Sequence, residues 1–268
     1  SIVSLIALLL VLIIVFLSTA GYETDKFNSL LENKIKESVK NTNLTLKKIK
    51  IKINIQELSF FVTTSNPEIF FHNNKVNLNR IDAYINFKSL LKGKPNIEKV
   101  SVLSNELDIE RIKEIVKYSK PSNLKKFLLN EVKNGQLNFN LDLDLKDNQI
   151  INYEINGFVK NFSAKNKKMN LDKTSFIYLI KEKSGEIDNI RGLINGFQIS
   201  SGNIKFANSD SLEINGKIKS DLDLDKEKID NLIGNSNLTN FEKIKILGKL
   251  QSKFKINFDQ TLKIVDYQ

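Results

Sequence analysis

The sequence predicts an α+β fold that is mainly β with a few helices. Apolar and polar residues alternate over long segments, which is typical of strands with one apolar and one solvated face. Helical spacing of apolar residues is confined to a few short segments. The chain has 268 residues, of which 41% are hydrophobic and 27% charged, and this composition suits folded domains rather than disorder.

The composition excludes several kinds of site. The chain has no cysteine, which rules out disulfides, thiolate metal sites and cysteine nucleophiles. His72 is the single histidine, so neither a histidine metal cluster nor a Ser-His-Asp triad is expected. The net charge of +10 would suit an anionic partner, but a solvated lysine-rich surface also explains it.

The first domain, residues 1–21, is predicted to be a transmembrane anchor. The uncharged run Ile2–Ala20 would cover close to the thickness of a bilayer as a helix. A secretory signal peptide is the alternative, because Ser18-Thr19-Ala20 resembles a cleavage site. Since the chain starts at Ser1 and stops within an alternating pattern, we also expect a fragment of a longer chain.

The second predicted domain, residues 22–134, begins with an amphipathic helix at Asp25–Lys40 that would cap a sheet. Alternation then predicts strands. The first runs from Leu44 to Ile55 with a bulge near Lys47, and shorter strands follow at Leu58–Val62 and from Ile69.

The segment Lys75–Ile109 predicts two long strands with a turn between them. A phase slip at Asn79-Arg80 indicates a β-bulge in the first strand. Ser89-Leu90-Leu91 breaks the alternation before a turn at Gly93 and Pro95. Two short helices, broken at Lys120-Pro121, are then predicted between Glu110 and Val132.

The third predicted domain, residues 135–268, continues as a repetitive sheet. Its expected strands are Leu137–Leu145, Ile151–Val159, Ser175–Ile180, Ile187–Ile199, Asn203–Ala207, Leu212–Ile218 and Leu247–Phe258, with helical interruptions at Lys226–Ile233 and Asn240–Ile244. Asn-Gly is a hairpin signal, but alternation continues through Gly157 and Gly216, so these glycines fit the interior of strands equally well.

No motif predicts catalysis. The acidic ladders Asp142/Asp144 and Asp221/Asp223/Asp225 lack the glycine and glutamate of a calcium loop and read as the solvated face of strands. His72 has no partner in the sequence pattern and reads as a surface residue. We therefore expect no enzyme activity, no cofactor and no metal. The long apolar faces must instead meet a second sheet, a helix layer, a membrane or an apolar ligand.

Residues 1–110 resemble the N-terminal part of the AsmA family of Gram-negative envelope proteins. The resemblance rests on the run Ile2–Ala20, the helix Asp25–Lys40 and the strand Ile49–Ile55. It rests above all on the alternating segment Ile81–Phe87, followed by Lys88-Ser89-Leu90-Leu91-Lys92-Gly93 and a second alternating strand. Beyond residue 110 the likeness is limited to the general pattern of alternating strands.

The resemblance implies a long, curled antiparallel β-sheet that forms an apolar groove for phospholipid acyl chains. It implies a single-pass inner-membrane protein with its body in the periplasm, acting without catalysis in phospholipid transport or outer-membrane lipid homeostasis. Its partners would be the inner membrane, phospholipid and envelope proteins, with no nucleic acid. The residues that would line the groove are Ile49, Ile51, Ile53, Ile81, Ile85, Phe87, Val100, Val102, Leu137, Phe139 and Leu141.

A second hypothesis is an assembly factor for outer-membrane proteins, in which exposed sheet edges pair with client strands. A closed β-sandwich core is the ordinary structural explanation for the same apolar faces. Sequence patterns leave these alternatives open.

Overall fold

The computed structural model describes residues 2–25, 28, 29, 32, 33, 36, 41–56, 59–72, 74–86, 89, 96–147, 149–166, 169–208, 211–226, 245–259 and 264–268. Several predicted features lie wholly or mostly outside these residues. They are most of the helix 25–40, the connection 90–95, Phe87, and the helical interruptions 227–233 and 240–244.

Helix α1, Ile2–Thr19, occupies the uncharged run at the start of the chain. Its 18 residues rise by about 1.5 Å each, which makes a helix of about 27 Å. Among the described residues, no helix combines the length and the apolar character that crossing a bilayer requires. The prediction of a helix here is confirmed, whereas the transmembrane helix predicted for residues 1–21 is not found in the described part of the chain.

Among the described residues, two further helices lie on either side of the predicted break. Helix α2 spans Ile109–Val116 and helix α3 spans Asn123–Asn130. The Ser122 hydroxyl accepts a hydrogen bond of 3.1 Å from the Lys125 amide, as a helix N-cap does. Pro121 lies in the break between the helices, because proline disfavours a helical conformation for the residue before it.

The strands form antiparallel pairs, and the described part of the chain is mainly β. The first eight strands are β1 Tyr22–Thr24, β2 Thr42–Thr45, β3 Ile49–Asn54, β4 Ser59–Ser65, β5 Glu68–Phe71, β6 Asn74–Ile85, β7 Ile97–Ser104 and β8 Leu107–Asp108. The next eight are β9 Val132–Lys146, β10 Gln149–Lys165, β11 Asn170–Lys181, β12 Ser184–Ile194, β13 Phe197–Asn208, β14 Leu212–Asp225, β15 Lys245–Phe258 and β16 Ile264–Tyr267.

The chain divides into two compact units. The first comprises residues 1–125 and 137–156, and the second comprises residues 126–136 and 157–268. The hydrogen-bonded strand order is β1-β3-β4-β6-β7-β9-β10 in the first unit, with β2 and β5 paired beside β6. In the second it is β10-β11-β12-β13-β14-β15-β16. The predicted domain boundaries after residues 21 and 134 stay predictions.

The predicted bulge in β6 is present. The register between β6 and β7 shifts between Leu78 and Arg80, as the phase slip at Asn79-Arg80 indicated. The predicted strand from Leu44 to Ile55 is different, because β2 and β3 are separate strands. β2 pairs with β5, whereas β3 pairs with β4. The slip near Lys47 therefore marks a change of partner strand rather than a bulge.

The three Ile-Asn-Gly tripeptides, at 155–157, 194–196 and 214–216, have different structures. Asn195-Gly196 is a two-residue hairpin turn with positive φ angles of 50° and 82°, and it divides the predicted strand Ile187–Ile199 into β12 and β13. Gly157 lies within β10 and Gly216 within β14. Of these three tripeptides, only the one at 194–196 forms a turn, whereas the other two lie within strands.

Left-handed residues interrupt neighbouring strands of the second unit. Asn161 in β10, Lys173 in β11 and Asn189 in β12 have φ angles of 50°, 47° and 54°. The register of β11 against β12 shifts on both sides of Ser175. Such bulges bend a strand and increase its local twist. They also move the alternation by one residue, so that the apolar face is kept along strands of 11 to 17 residues.

Candidate functional site

An apolar face extends across five strands of the first unit. Directly paired residues of antiparallel strands point to the same side of a sheet, so the register identifies the face. One such row runs across β3, β4, β6, β7 and β9, in the order Ile51, Val62, Ala83, Val100 and Leu143. A second row, parallel to it, consists of Ile49, Thr64, Ile81, Val102 and Leu141. We call this surface the first apolar face.

The register brings most of the predicted groove residues onto the first apolar face. They are Ile49, Ile51, Ile53, Ile81, Ile85, Val100, Val102 and Leu141. Leu137 and Phe139 belong to the same face by alternation along β9, since they lie four and two residues before Leu141. Phe87 lies outside the described residues. That these side chains contact lipid stays a prediction.

The first apolar face is only partly buried. Of the predicted groove residues that are described, only Ile49 is fully buried, with 2% of its surface exposed. The others keep intermediate exposure. The interior of a closed sandwich would bury such aliphatic side chains almost completely. Partly exposed rows of isoleucine, valine and leucine therefore leave room for apolar contacts beyond those that the chain makes itself.

The opposite face of the first unit is mainly polar, although Phe61, Tyr84 and Leu103 also lie on it. Asp82 is only 4% exposed, and its carboxylate forms an ion pair of 2.8 Å with the Arg80 guanidinium. The carboxylate of Asp142 accepts a hydrogen bond from Ser101 and forms an ion pair of 3.1 Å with Lys99. Burial disfavours the charged form of Lys99, but the contact with Asp142 outweighs it and raises the pKa of the ammonium group.

The acidic ladders have structural partners rather than a metal geometry. Among the residues that the structure describes, no group of three or more His, Asp or Glu side chains is arranged to hold a metal ion. Asp144 accepts a hydrogen bond of 3.1 Å from Asn152. Asp223 forms an ion pair of 3.4 Å with Lys245. These carboxylates form part of the solvated face, as the alternation indicated.

His72 packs more closely than a surface residue was expected to. Its ring stacks on Tyr118 with centroids 3.9 Å apart and meets Phe71 edge-on at 4.7 Å. A ring nitrogen of His72 lies 3.3 Å from the Asn41 amide nitrogen. The stack joins the end of β5 to the residues after α2. This arrangement is a packing contact, and among the described residues no carboxylate is hydrogen-bonded to the imidazole.

The second unit has an apolar face of its own, which sequence reasoning did not include in the site. One row runs across β11 to β15, in the order Tyr178, Ile187, Ile204, Gly216 and Phe254. The adjacent row consists of Ile180, Gly185, Phe206, Ile214 and Ile256. We call this surface the second apolar face. The alternation of β13 to β15 was visible in the sequence, but the pairing of the rows was not.

Two glycines of the second apolar face are covered by phenylalanine rings from the neighbouring strand. A Cβ atom on Gly216 would lie 2.1 Å from Cζ of Phe254, and one on Gly185 would lie 2.2 Å from Cζ of Phe206. The rings therefore occupy the space that a side chain would take. This packing turns two positions that weaken a strand into a continuous apolar surface.

Tyr178 reports how apolar this surface is. Burial disfavours its phenolate and raises the pKa of the hydroxyl to about 12. The shift agrees with the position of Tyr178 in a row whose next members are Ile187 and Ile204.

Comparison of the chain with protein-family profiles, with curated proteins and with solved structures finds no match. The resemblance to the AsmA family therefore stays a prediction.

We predict that Gly216→Ala lowers the free energy of unfolding by about 1–2 kcal/mol, because the new methyl group must displace the Phe254 ring. Gly248→Ala is the matched control, since its Cβ atom would meet nothing within 4 Å. Urea unfolding of both variants measures the difference. Equal stability of the two variants would contradict the described packing.

We predict that Tyr178 titrates near pH 12, above the value of about 10 for a free tyrosine. Because the folded-state pKa is raised, its contribution to stability is complete below pH 10 and is lost as the pH rises from about 10 to 12. Ultraviolet titration of the wild type and of Tyr178→Phe isolates this group. The stability of Tyr178→Phe should fall less steeply across that range, and identical slopes would refute the assignment.

Proposed function

We propose that the protein binds phospholipid acyl chains on its apolar faces and acts without catalysis in phospholipid transport or lipid homeostasis of the cell envelope. The observation that carries the proposal is the first apolar face, where aliphatic rows cross five strands and stay partly exposed. Each methylene moved from water to such a surface contributes about 0.8 kcal/mol. The polar opposite face keeps the sheet in contact with water.

Photocrosslinking from adjacent residues of β7 tests this proposal. A benzoylphenylalanine at Val102 lies on the first apolar face, whereas one at Leu103 points to the other side of the strand. In membranes that contain the full chain, Val102 should crosslink to phospholipid and Leu103 should not, as read by mass spectrometry. Lipid at neither position, or equally at both, would refute the proposed face.

Val100→Asn should weaken phospholipid binding by roughly tenfold, because it places an amide within the apolar row. Ser101→Asn is the matched control on the opposite face. Phospholipid that co-purifies with each variant in mild detergent can be quantified by mass spectrometry. If both variants retain as much phospholipid as the wild type, the row does not hold acyl chains.

A second candidate function is strand pairing with another protein, in the manner of an assembly factor for outer-membrane proteins. β16 pairs with β15 only near Ile256–Phe258. Within the described residues, the outer edge of β15 from Lys245 to Phe254 has no neighbouring strand. Exposed edges of this kind accept an added strand. A benzoylphenylalanine at Leu250 should then capture protein rather than lipid.

The proposed location is the inner membrane, with the body of the chain in the periplasm. Support comes from α1, whose large apolar side chains from Leu5 to Phe16 are between 41% and 66% exposed. A surface of that kind favours association with lipid.

We predict that the chain sediments with membranes in high salt and that Leu9→Asp/Leu12→Asp releases it. Ser18→Asp/Thr19→Asp adds the same charge at the helix end and should not release it; equal release would exclude this role for α1.

A further inference from the structure

Three lysines on the solvated face of the second unit form ion pairs with carboxylates. Lys205 lies 3.1 Å from Glu186, Lys255 lies 2.7 Å from Glu213, and Lys245 lies 3.4 Å from Asp223. Each pair joins neighbouring strands. Opposite charges that face each other across strands stabilise a sheet, so this is the expected arrangement.

Lys217 of β14 and Lys253 of β15 depart from that arrangement. They are directly opposite each other in the register of the two strands. Both side chains are exposed, and neither forms an ion pair with any residue that the structure describes. Lys219, two residues along β14, points to the same side and faces Gln251 rather than an acid. Like charges directly opposite each other destabilise a sheet, so this arrangement has a cost that a bound anion would remove.

The lysine pair lines a hollow of about 420 Å³ on the same face. Asn203 and Asn215 stand on its other side, next to Lys217 and Lys205 in the register. Their amide groups donate to Glu186 at 2.7 Å and to Glu213 at 2.6 Å. Because Lys205 and Lys255 neutralise those two carboxylates, the uncompensated charge that faces the hollow is positive. The hollow therefore combines space, a lining of mixed polar and apolar atoms, and two ammonium groups that form no ion pair with any described residue.

We propose that Lys217 and Lys253 bind a phosphoryl group in this hollow. A tetrahedral oxyanion can accept charge-assisted hydrogen bonds from both ammonium groups at once, and lysine is an established phosphate ligand. The phosphoryl group belongs either to a soluble phosphate compound or to a phospholipid head group. The side chains of Lys217 and Lys253 point to the face opposite to the Phe254 ring, although Gly216 and Phe254 also contribute to the lining of the hollow. The proposal therefore does not require acyl-chain binding at the second apolar face.

The test uses the full chain in mild detergent and isothermal titration calorimetry. The probes are inorganic phosphate and dihexanoyl phosphatidate, a short-chain phospholipid with a phosphomonoester head group, each at constant ionic strength. The variant Lys217→Gln/Lys253→Gln should weaken saturable binding by at least about tenfold, the loss expected for hydrogen bonds to charged groups. Lys133→Gln/Lys165→Gln, which removes the same net charge from other strands of the second unit, should bind as the wild type does.

The two probes identify the source of the phosphoryl group. Saturable binding of inorganic phosphate that requires the lysine pair supports a site for soluble phosphate compounds. Binding of phosphatidate alone, lost in the same variant, supports a head-group site. Three results would overturn the proposal: no saturable binding of either probe, equal weakening in both double variants, or phosphatidate binding that survives Lys217→Gln/Lys253→Gln while inorganic phosphate binds neither this variant nor the wild type. In the third case the acyl chains, and not the lysine pair, hold the lipid.

A second variant separates the site from general effects on folding. Lys253→Glu places a carboxylate opposite Lys217 and supplies internally the negative charge that the phosphoryl group would bring. It should abolish phosphate binding while raising the melting temperature by about 1–3 °C. A Lys253→Glu protein that is folded and still binds phosphate with unchanged affinity would also refute the proposal.

Discussion

The structure depends on the two-residue period of side chains along extended strands. It also depends on the register of each antiparallel pair, which keeps the apolar side chains of neighbouring strands on the same side. Because paired residues point to the same side, the row Ile51, Val62, Ala83, Val100 and Leu143 becomes one apolar line through five strands. A slip of one residue in the register of any pair would move that strand's apolar side chains to the solvated face. The bulge between Leu78 and Arg80 of β6 shows how the chain changes phase without losing the face.

The polar faces follow the same rule with charges instead of apolar contacts. Asp82 with Arg80, and Lys99 with Asp142, pair within or across strands of the first unit. The Lys99–Asp142 pair is partly exposed and contributes little stability by itself. Because it joins β7 to β9, it favours their observed register, since a mismatched register would set like charges opposite each other. Lys217 and Lys253 differ from these pairs, because they set two positive charges opposite each other on neighbouring strands.

Glycine has two uses in the second unit. At Asn195-Gly196 its positive φ angle closes a hairpin. At Gly216 the backbone is an ordinary strand, and the missing side chain makes room for the ring of Phe254. The second use makes the second apolar face continuous. Tyr178 lies in one of its rows, where burial raises the pKa of its hydroxyl to about 12. Both apolar faces thus offer the low-polarity contact that an acyl chain would need.

Sequence alone determined the mainly β class, the bulge in β6 and the break between α2 and α3, because each follows from local periodicity or from proline. It could not predict that β2 and β3 have different partners or that Ile187–Ile199 is a hairpin. The ring of Phe254 over Gly216 and the opposition of Lys217 and Lys253 join residues more than thirty positions apart. Only the tertiary register decides such contacts, because the alternation of each strand is equally compatible with several pairings.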